Sequence, residues 1–161
     1  RMSCIYGPHQ FGTEDQGWVA HFLISALEDK PVTIYGNGKQ VRDILFVEDL
    51  IDAFMLAHKN IDKLTGQVFN IGGGPENTVS LLEILEIIRD KAGKEMDISF
   101  KDWRTGDQFY YVSNTNKFKE ATGWNPKYNI EEGVEKLLRW LCENRNIELP
   151  ENLNPTKQIA I

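Results

Sequence analysis

The sequence predicts an α/β fold. Short apolar stretches alternate with amphipathic helical stretches along the whole chain, and glycine, proline and asparagine punctuate the joins. No internal repeat or low-complexity linker interrupts the pattern. The 161 residues suffice for one domain with its own core, and 41% hydrophobic with 26% charged residues is an ordinary globular composition. A net charge of −6 argues against general binding to nucleic acid or to an anionic membrane surface. An anionic ligand therefore needs a local cluster of arginine and lysine. No apolar run approaches the roughly 20 residues of a membrane span, and no signal peptide is visible. Cys4 and Cys142 lie far apart and are expected as free thiols in a reducing cytoplasm. His9, His21 and His58 are scattered without zinc spacing, so no metal site is expected.

Residues 1–6 read as a strand closed by Gly7-Pro8. That strand starts abruptly at Arg1, and the chain is expected to be the C-terminal part of a longer polypeptide. Residues 9–15 are polar and loop-like. Val19, Phe22, Leu23, Ala26 and Leu27 recur at helical spacing, which predicts a helix over 16–29 ending before Pro31. Trp18 and Phe22 suit the core or the wall of a pocket. Val32–Tyr35 is a short strand. A glycine loop and a strand over 42–46 follow. Val47, Leu50, Ile51, Phe54 and His58 then share one helix face, with Glu48 and Asp49 in the first turn, where acids favour the helix dipole.

Gln67–Ile71 reads as a strand entering Gly72-Gly-Gly-Pro75. That triple glycine fits neither G-x-G-x-x-G nor a Walker loop. Ser80-Leu-Leu-Glu83 is a capping box for a helix with Leu81, Leu85 and Ile88 on one face, ended by Gly93. Asp97–Phe100 is a short strand, 102–108 a polar loop and Phe109–Val112 extended. A short helix runs from Asn114 to Gly123, and Trp124-Asn-Pro126 turns the chain. Asn129-Ile-Glu-Glu132 caps the last helix, with Ile130, Val134, Leu137, Leu138 and Leu141 inward. Residues 145–161 read as a weakly ordered polar tail.

The stretch Tyr35–Asp49 concentrates the chemistry. Gly36 and Gly38 permit positive φ and close backbone approach. Lys39 and Arg42 leave that loop just before the apolar run Ile44–Val47. A guanidinium steadied by the neighbouring Asp43 suits a phosphate oxygen, which it can grip with two N–H groups. The same features also suit a surface hairpin with solvated charges.

Several motifs occur in a fixed order: Tyr6-Gly-Pro8, Thr33–Gly36 with Gly38, Arg42-Asp43, Val47–Asp49, Phe69–Gly72, Arg104-Thr-Gly-Asp107 and Gly123–Pro126. Together they resemble the C-terminal half of the extended short-chain dehydrogenase/reductase family, the NAD-dependent nucleotide-sugar epimerases and dehydratases. The resemblance implies a C-terminal substrate-binding lobe over residues 1–144, joined to the last strands of a Rossmann-type sheet. It also implies that the N-terminal NAD-binding half is absent. Within the family, Gln10–Val19, Gly36–Asp43 and Asp107-Gln108 are similar to the CDP-sugar 2-epimerases. A UDP- or GDP-sugar enzyme and a stand-alone nucleotide-binding module remain alternatives.

Residue roles follow from the same resemblance. Arg42 and Arg104 would grip the nucleotide diphosphate, with Asp107 beside them. Tyr35 and Gln40 would sit beside the base. Tyr6 and Pro8 would pass the nicotinamide end of NAD. Many relatives carry asparagine at the position of Cys4. The implied chemistry is transient oxidation of the sugar and its reduction on the other face, in a cytoplasmic homo-oligomer. The family's Tyr-x-x-x-Lys pair is expected upstream. Tyr35 and Lys39 match the bare spacing but lie in the glycine loop, so no catalytic residue is expected here and the chain alone should be inactive.

Overall fold

A computed structural model describes residues 1–154. Six short strands and six helices follow in the order β1 (Cys4–Tyr6), α1 (Trp18–Leu27), β2 (Val32–Tyr35), β3 (Val41–Phe46), α2 (Val47–Lys59), α3 (Ile61–Leu64), β4 (Thr78–Ser80), α4 (Leu81–Ala92), β5 (Ile98–Lys101), β6 (Tyr110–Tyr111), α5 (Asn116–Thr122) and α6 (Ile130–Arg145). The expected alternation of strand and helix is present. The strand expected over 67–71 shrinks to one parallel bridge, Met2 to Ile71. Ser3 N–H donates to the Ile71 carbonyl and Ile71 N–H to that of Arg1, at 3.0 and 2.8 Å.

β3 is the hub. Its C-terminal half pairs in parallel with β1, Cys4 opposite Ile44 and Tyr6 opposite Phe46. Its N-terminal half pairs antiparallel with β4 and parallel with β6. β2 and β5 form a separate parallel pair. Successive side chains of a strand point to opposite faces, and β3 uses both. Ile44 and Phe46 enter a core built with α1, α4 and α6, while Leu45 enters a second core with Leu50, Leu64, Ile71, Phe118 and Trp124.

Both expected capping boxes form. Ser80 Oγ accepts from Glu83 N–H at 3.2 Å and a Glu83 carboxylate oxygen accepts from Ser80 N–H at 2.7 Å. Asn129 and Glu132 make the same reciprocal pair at the start of α6. Each cap satisfies donors that the helix start leaves unpaired. The end of α4 at Gly93, in the left-handed region, is also as expected.

Three details differ from the sequence expectation. On α2 the buried residues are Asp49, Leu50 and Ala53, while Ile51 and Phe54 are more than half exposed. Asp49 sets this orientation. Its buried carboxylate accepts the N–H groups of Lys127 and Tyr128, at 2.9 and 3.2 Å, and its carbonyl accepts Trp124 Nε1–H at 3.1 Å. The acid turns the helix toward the Trp124–Tyr128 turn and rolls the aliphatic residues outward. Asp43 does not hold Arg42, because neighbours in a strand face opposite sides. It is buried and accepts from Ser3 Oγ at 2.7 Å and Gly74 N–H at 3.1 Å. Finally, residues 145–154 pack rather than trail. Ile147 and Leu149 lie against the main core, Leu153 is buried, and Asn152 donates to the Asp90 carbonyl at 3.0 Å. The remainder of the expected tail, 155–161, lies outside the described residues.

Asp49→Ala leaves two backbone donors of the 124–128 turn without their acceptor. It should destabilise the protein by about 1–3 kcal/mol for each buried group left unpaired. Urea denaturation measures the loss, and an unchanged midpoint would contradict this account of the α2 orientation.

Candidate functional site

A cavity of about 380 Å³ opens over the face of β3 that carries Arg42. That volume lies within the range of small-ligand sites. Arg42 and Cys4 share a sheet face, because Cys4 is paired with Ile44. The first turns of α1 form one wall with Trp18, His21 and Phe22. Tyr35, at the end of β2, and Gln40 form another, and the loop Arg104–Asp107 crosses the mouth opposite Glu14 and Asp15.

Each arginine is held by acid. Arg42 has a 13% exposed side chain and donates through Nη2 to Asp107 at 2.7 Å. Its Nη1 donates to the Val41 carbonyl at 2.8 Å. Arg104 reaches Glu14 at 3.1 Å and Asp15 at 3.4 Å. Its guanidinium lies over the Tyr35 ring, 4.0 Å from the centroid, a cation–π contact. The Tyr35 hydroxyl donates to the same Glu14 carboxylate. That bond, with Arg104 adding to it, holds the Glu14 carboxyl below its ordinary range. Cys4 and His21 also line the cavity. Burial pushes the Cys4 thiol up, so it stays protonated and is no activated nucleophile. Burial pushes the His21 imidazole down, so it is neutral at pH 7.

Tyr35, Gln40, Arg42, Arg104 and Asp107, expected as a substrate-binding set, thus converge on one cavity. Tyr6 does not join them. Its side chain is 2% exposed, packs edge-on against Phe46, and rests on α6 where Gly133 leaves room. An added Cβ at Gly133 would fall 2.1 Å from the Tyr6 hydroxyl oxygen. The Tyr6 side chain is thus core, and the passage of Tyr6 and Pro8 by the nicotinamide end of NAD stays a proposal. Pro8 lies in the turn beyond β1 and does not line the cavity. The triple glycine is explained by packing, since a Cβ at Gly73 would sit 2.1 Å from the Ile44 carbonyl oxygen. Lys39 is exposed in the loop after β2, so Tyr35 and Lys39 share no helix.

Glu14 and Asp15 carried no sequence signal as site residues, because their partner Arg104 lies about ninety positions away. The Gln10–Val19 stretch, part of the narrower resemblance, spans both residues without assigning them a role.

Residues 1–72 match the family model described as the NAD dependent epimerase/dehydratase family. Over 145 residues the chain is 41% identical to CDP-paratose 2-epimerase of Salmonella typhi, covering 87% of this chain and 43% of that protein. The chain belongs to the NAD-dependent epimerase/dehydratase family. Solved family structures agree. UDP-glucose 4-epimerase of Thermotoga maritima, solved with UDP-glucose, superposes with a TM-score of 0.80 at 29% identity, over 90% of this chain and 45% of that one. UDP-glucuronic acid 4-epimerase of Bacillus cereus, solved with UDP-glucuronic acid and NAD, gives 0.79 at 28%, over 89% and 44%. The chain spans less than half the length of each of these relatives.

The Glu14 carboxyl titrates below its ordinary value, so its contribution to stability is full above the unfolded-state pKa and is lost as pH falls through the depressed folded value. Tyr35→Phe removes the first cause of that depression. Carboxyl NMR should show the Glu14 pKa moving up toward the ordinary range, and an unmoved titration would refute the Tyr35–Glu14 bond.

Proposed function

We propose that this chain is the nucleotide-sugar-binding portion of an NAD-dependent sugar epimerase acting on a CDP-linked sugar, a CDP-paratose (CDP-tyvelose) 2-epimerase. The observation that carries this reading is the convergence of Arg42 and Arg104 on one cavity in a chain whose net charge is −6. A diphosphate approaching such a chain is repelled on average and attracted here. Planar guanidinium groups suit its oxygens, and two of them can share its charge. Trp18, Phe22 and Tyr35 add flat surfaces suited to a base. The 41% identity to CDP-paratose 2-epimerase supports CDP as the carrier.

On this reading the residues described here bind the nucleotide and orient the sugar, and the grip lies remote from the reacting carbon. Remote binding of this kind lowers the barrier by holding the reacting groups in place. NAD supplies hydride transfer when bound, and on this reading it is held mainly by a half of the parent protein that this chain does not include. The 161 residues alone then bind without turning over. A UDP-linked sugar is the second reading, favoured by the likeness to UDP-glucose 4-epimerase.

Titration calorimetry of the full-length protein with CDP, UDP and GDP decides between them. CDP should bind tightest, and a clear preference for UDP replaces the CDP assignment. Arg42→Ala and Arg104→Ala should each weaken CDP binding by about 1.5–3 kcal/mol, the range for hydrogen bonds to charged groups. That corresponds to roughly 10- to 150-fold in Kd. Unchanged affinity in both variants would remove the phosphate grip from this cavity.

A further inference from the structure

We propose that Trp103 is a positioning residue for the nucleotide grip: seated on Gly36, its indole holds the 102–108 loop over the cavity so that Arg104 and Asp107 stay in place. This rests on the nucleotide-binding reading above.

The loop is tethered at both ends to the segment that leads into β3. Gly36 N–H donates to the Lys101 carbonyl and Val41 N–H to the Phe109 carbonyl, each at 2.9 Å. Between those tethers a turn bond runs from Asp107 N–H to the Arg104 carbonyl at 3.2 Å. The loop reads Asp-Trp-Arg-Thr-Gly-Asp-Gln, so Trp103 is its one large apolar side chain. The indole covers Gly36 so closely that a Cβ there would fall 2.6 Å from the ring. Gly36 also has φ +88°, a conformation that glycine adopts without strain. On its other side the indole meets the Phe109 ring, with centroids 4.6 Å apart.

Trp103 does not line the cavity, whereas Arg104, Thr105, Gly106 and Asp107 all do. It therefore acts through its neighbours rather than on a ligand. The other side-chain anchors of the loop are made through charged groups, the ion pairs of Arg42 with Asp107 and of Arg104 with Glu14 and Asp15, and the cation–π contact of Arg104 with Tyr35. A diphosphate that takes the guanidinium N–H groups competes with those same acids. The charged anchors are thus the ones that ligand binding loosens, and the stacked indole is the one it leaves intact. A pair of loops tied by an apolar contact keeps its geometry when the charges exchange partners.

The test is a double-mutant cycle on the full-length protein, read as CDP affinity by titration calorimetry. Trp103→Ala should weaken binding about 5- to 20-fold, and Trp103→Phe should recover most of the loss. In an Arg104→Ala background the same Trp103→Ala change should cost clearly less than it does with Arg104 present, because one of the two groups it positions is gone. Gly36→Ala, whose methyl displaces the indole, should reproduce the Trp103→Ala loss and keeps the test open if that variant folds poorly. Full affinity in Trp103→Ala, or additive losses in the cycle, overturns the positioning role alone. An Arg104→Ala protein that binds CDP normally overturns the site assignment, and this inference with it.

Discussion

Along Val41–Phe46 consecutive side chains point to opposite faces, and the other features of the molecule are arranged around that alternation. Ile44 and Phe46 anchor the helices α1, α4 and α6, and Leu45 anchors the second core. Arg42 shares a face with Ile44, so the packing that buries Ile44 also delivers the guanidinium to the cavity. Asp43 shares a face with Leu45, where it ties Ser3 to the glycines after Ile71. A slip of one residue would exchange these roles, placing an arginine in the interior and an acid on the cavity face. Core and cavity are consequently specified by one register.

The cavity gathers two arginines in a chain whose net charge is −6. Both arginines sit among carboxylates, which hold the guanidinium groups in position without a ligand. Exposed ion pairs of the Arg104–Glu14 kind contribute little stability because water solvates both partners. On the proposed reading a more highly charged phosphate displaces them. The Arg42–Asp107 pair is more buried and joins β3 to the 102–108 loop, which is distant in sequence. Tyr35 links the systems, its ring beneath Arg104 and its hydroxyl on Glu14. Cys4 and His21 complete the walls in uncharged form, so the charge that a ligand meets comes from the arginines and their acids.

A second acid plays a purely structural part on the other side of β3. Asp49 looks from its position like a residue placed to favour the helix dipole. In the fold it is a buried acceptor for the turn before α6, and burial pushes its carboxyl up while the two N–H donors pull it down. The side of α2 that faces inward carries this acid together with Leu50 and Ala53. Glu48 meanwhile accepts from the Tyr128 hydroxyl and pairs with Lys136 on α6, reinforcing the same docking.

The sequence by itself determined the local structure: helix starts at Ser80 and Asn129, the stop at Gly93, the glycine turn before Arg42, and the alternation of strand and helix. These are set by neighbours within a few residues, through capping hydrogen bonds, permitted φ and apolar period. It also determined the family, because an ordered set of short motifs identifies one even when each motif is weak. Only the tertiary structure decided that Tyr6 is core, that α2 turns Asp49 inward, that Ile147–Leu153 pack, and that Glu14 faces Arg104. Each of those depends on a contact between residues far apart in sequence, such as Tyr6 with Gly133 or Asp49 with Lys127 and Tyr128. A local pattern records which side chains prefer burial, but the partner that receives them is supplied by chain packing.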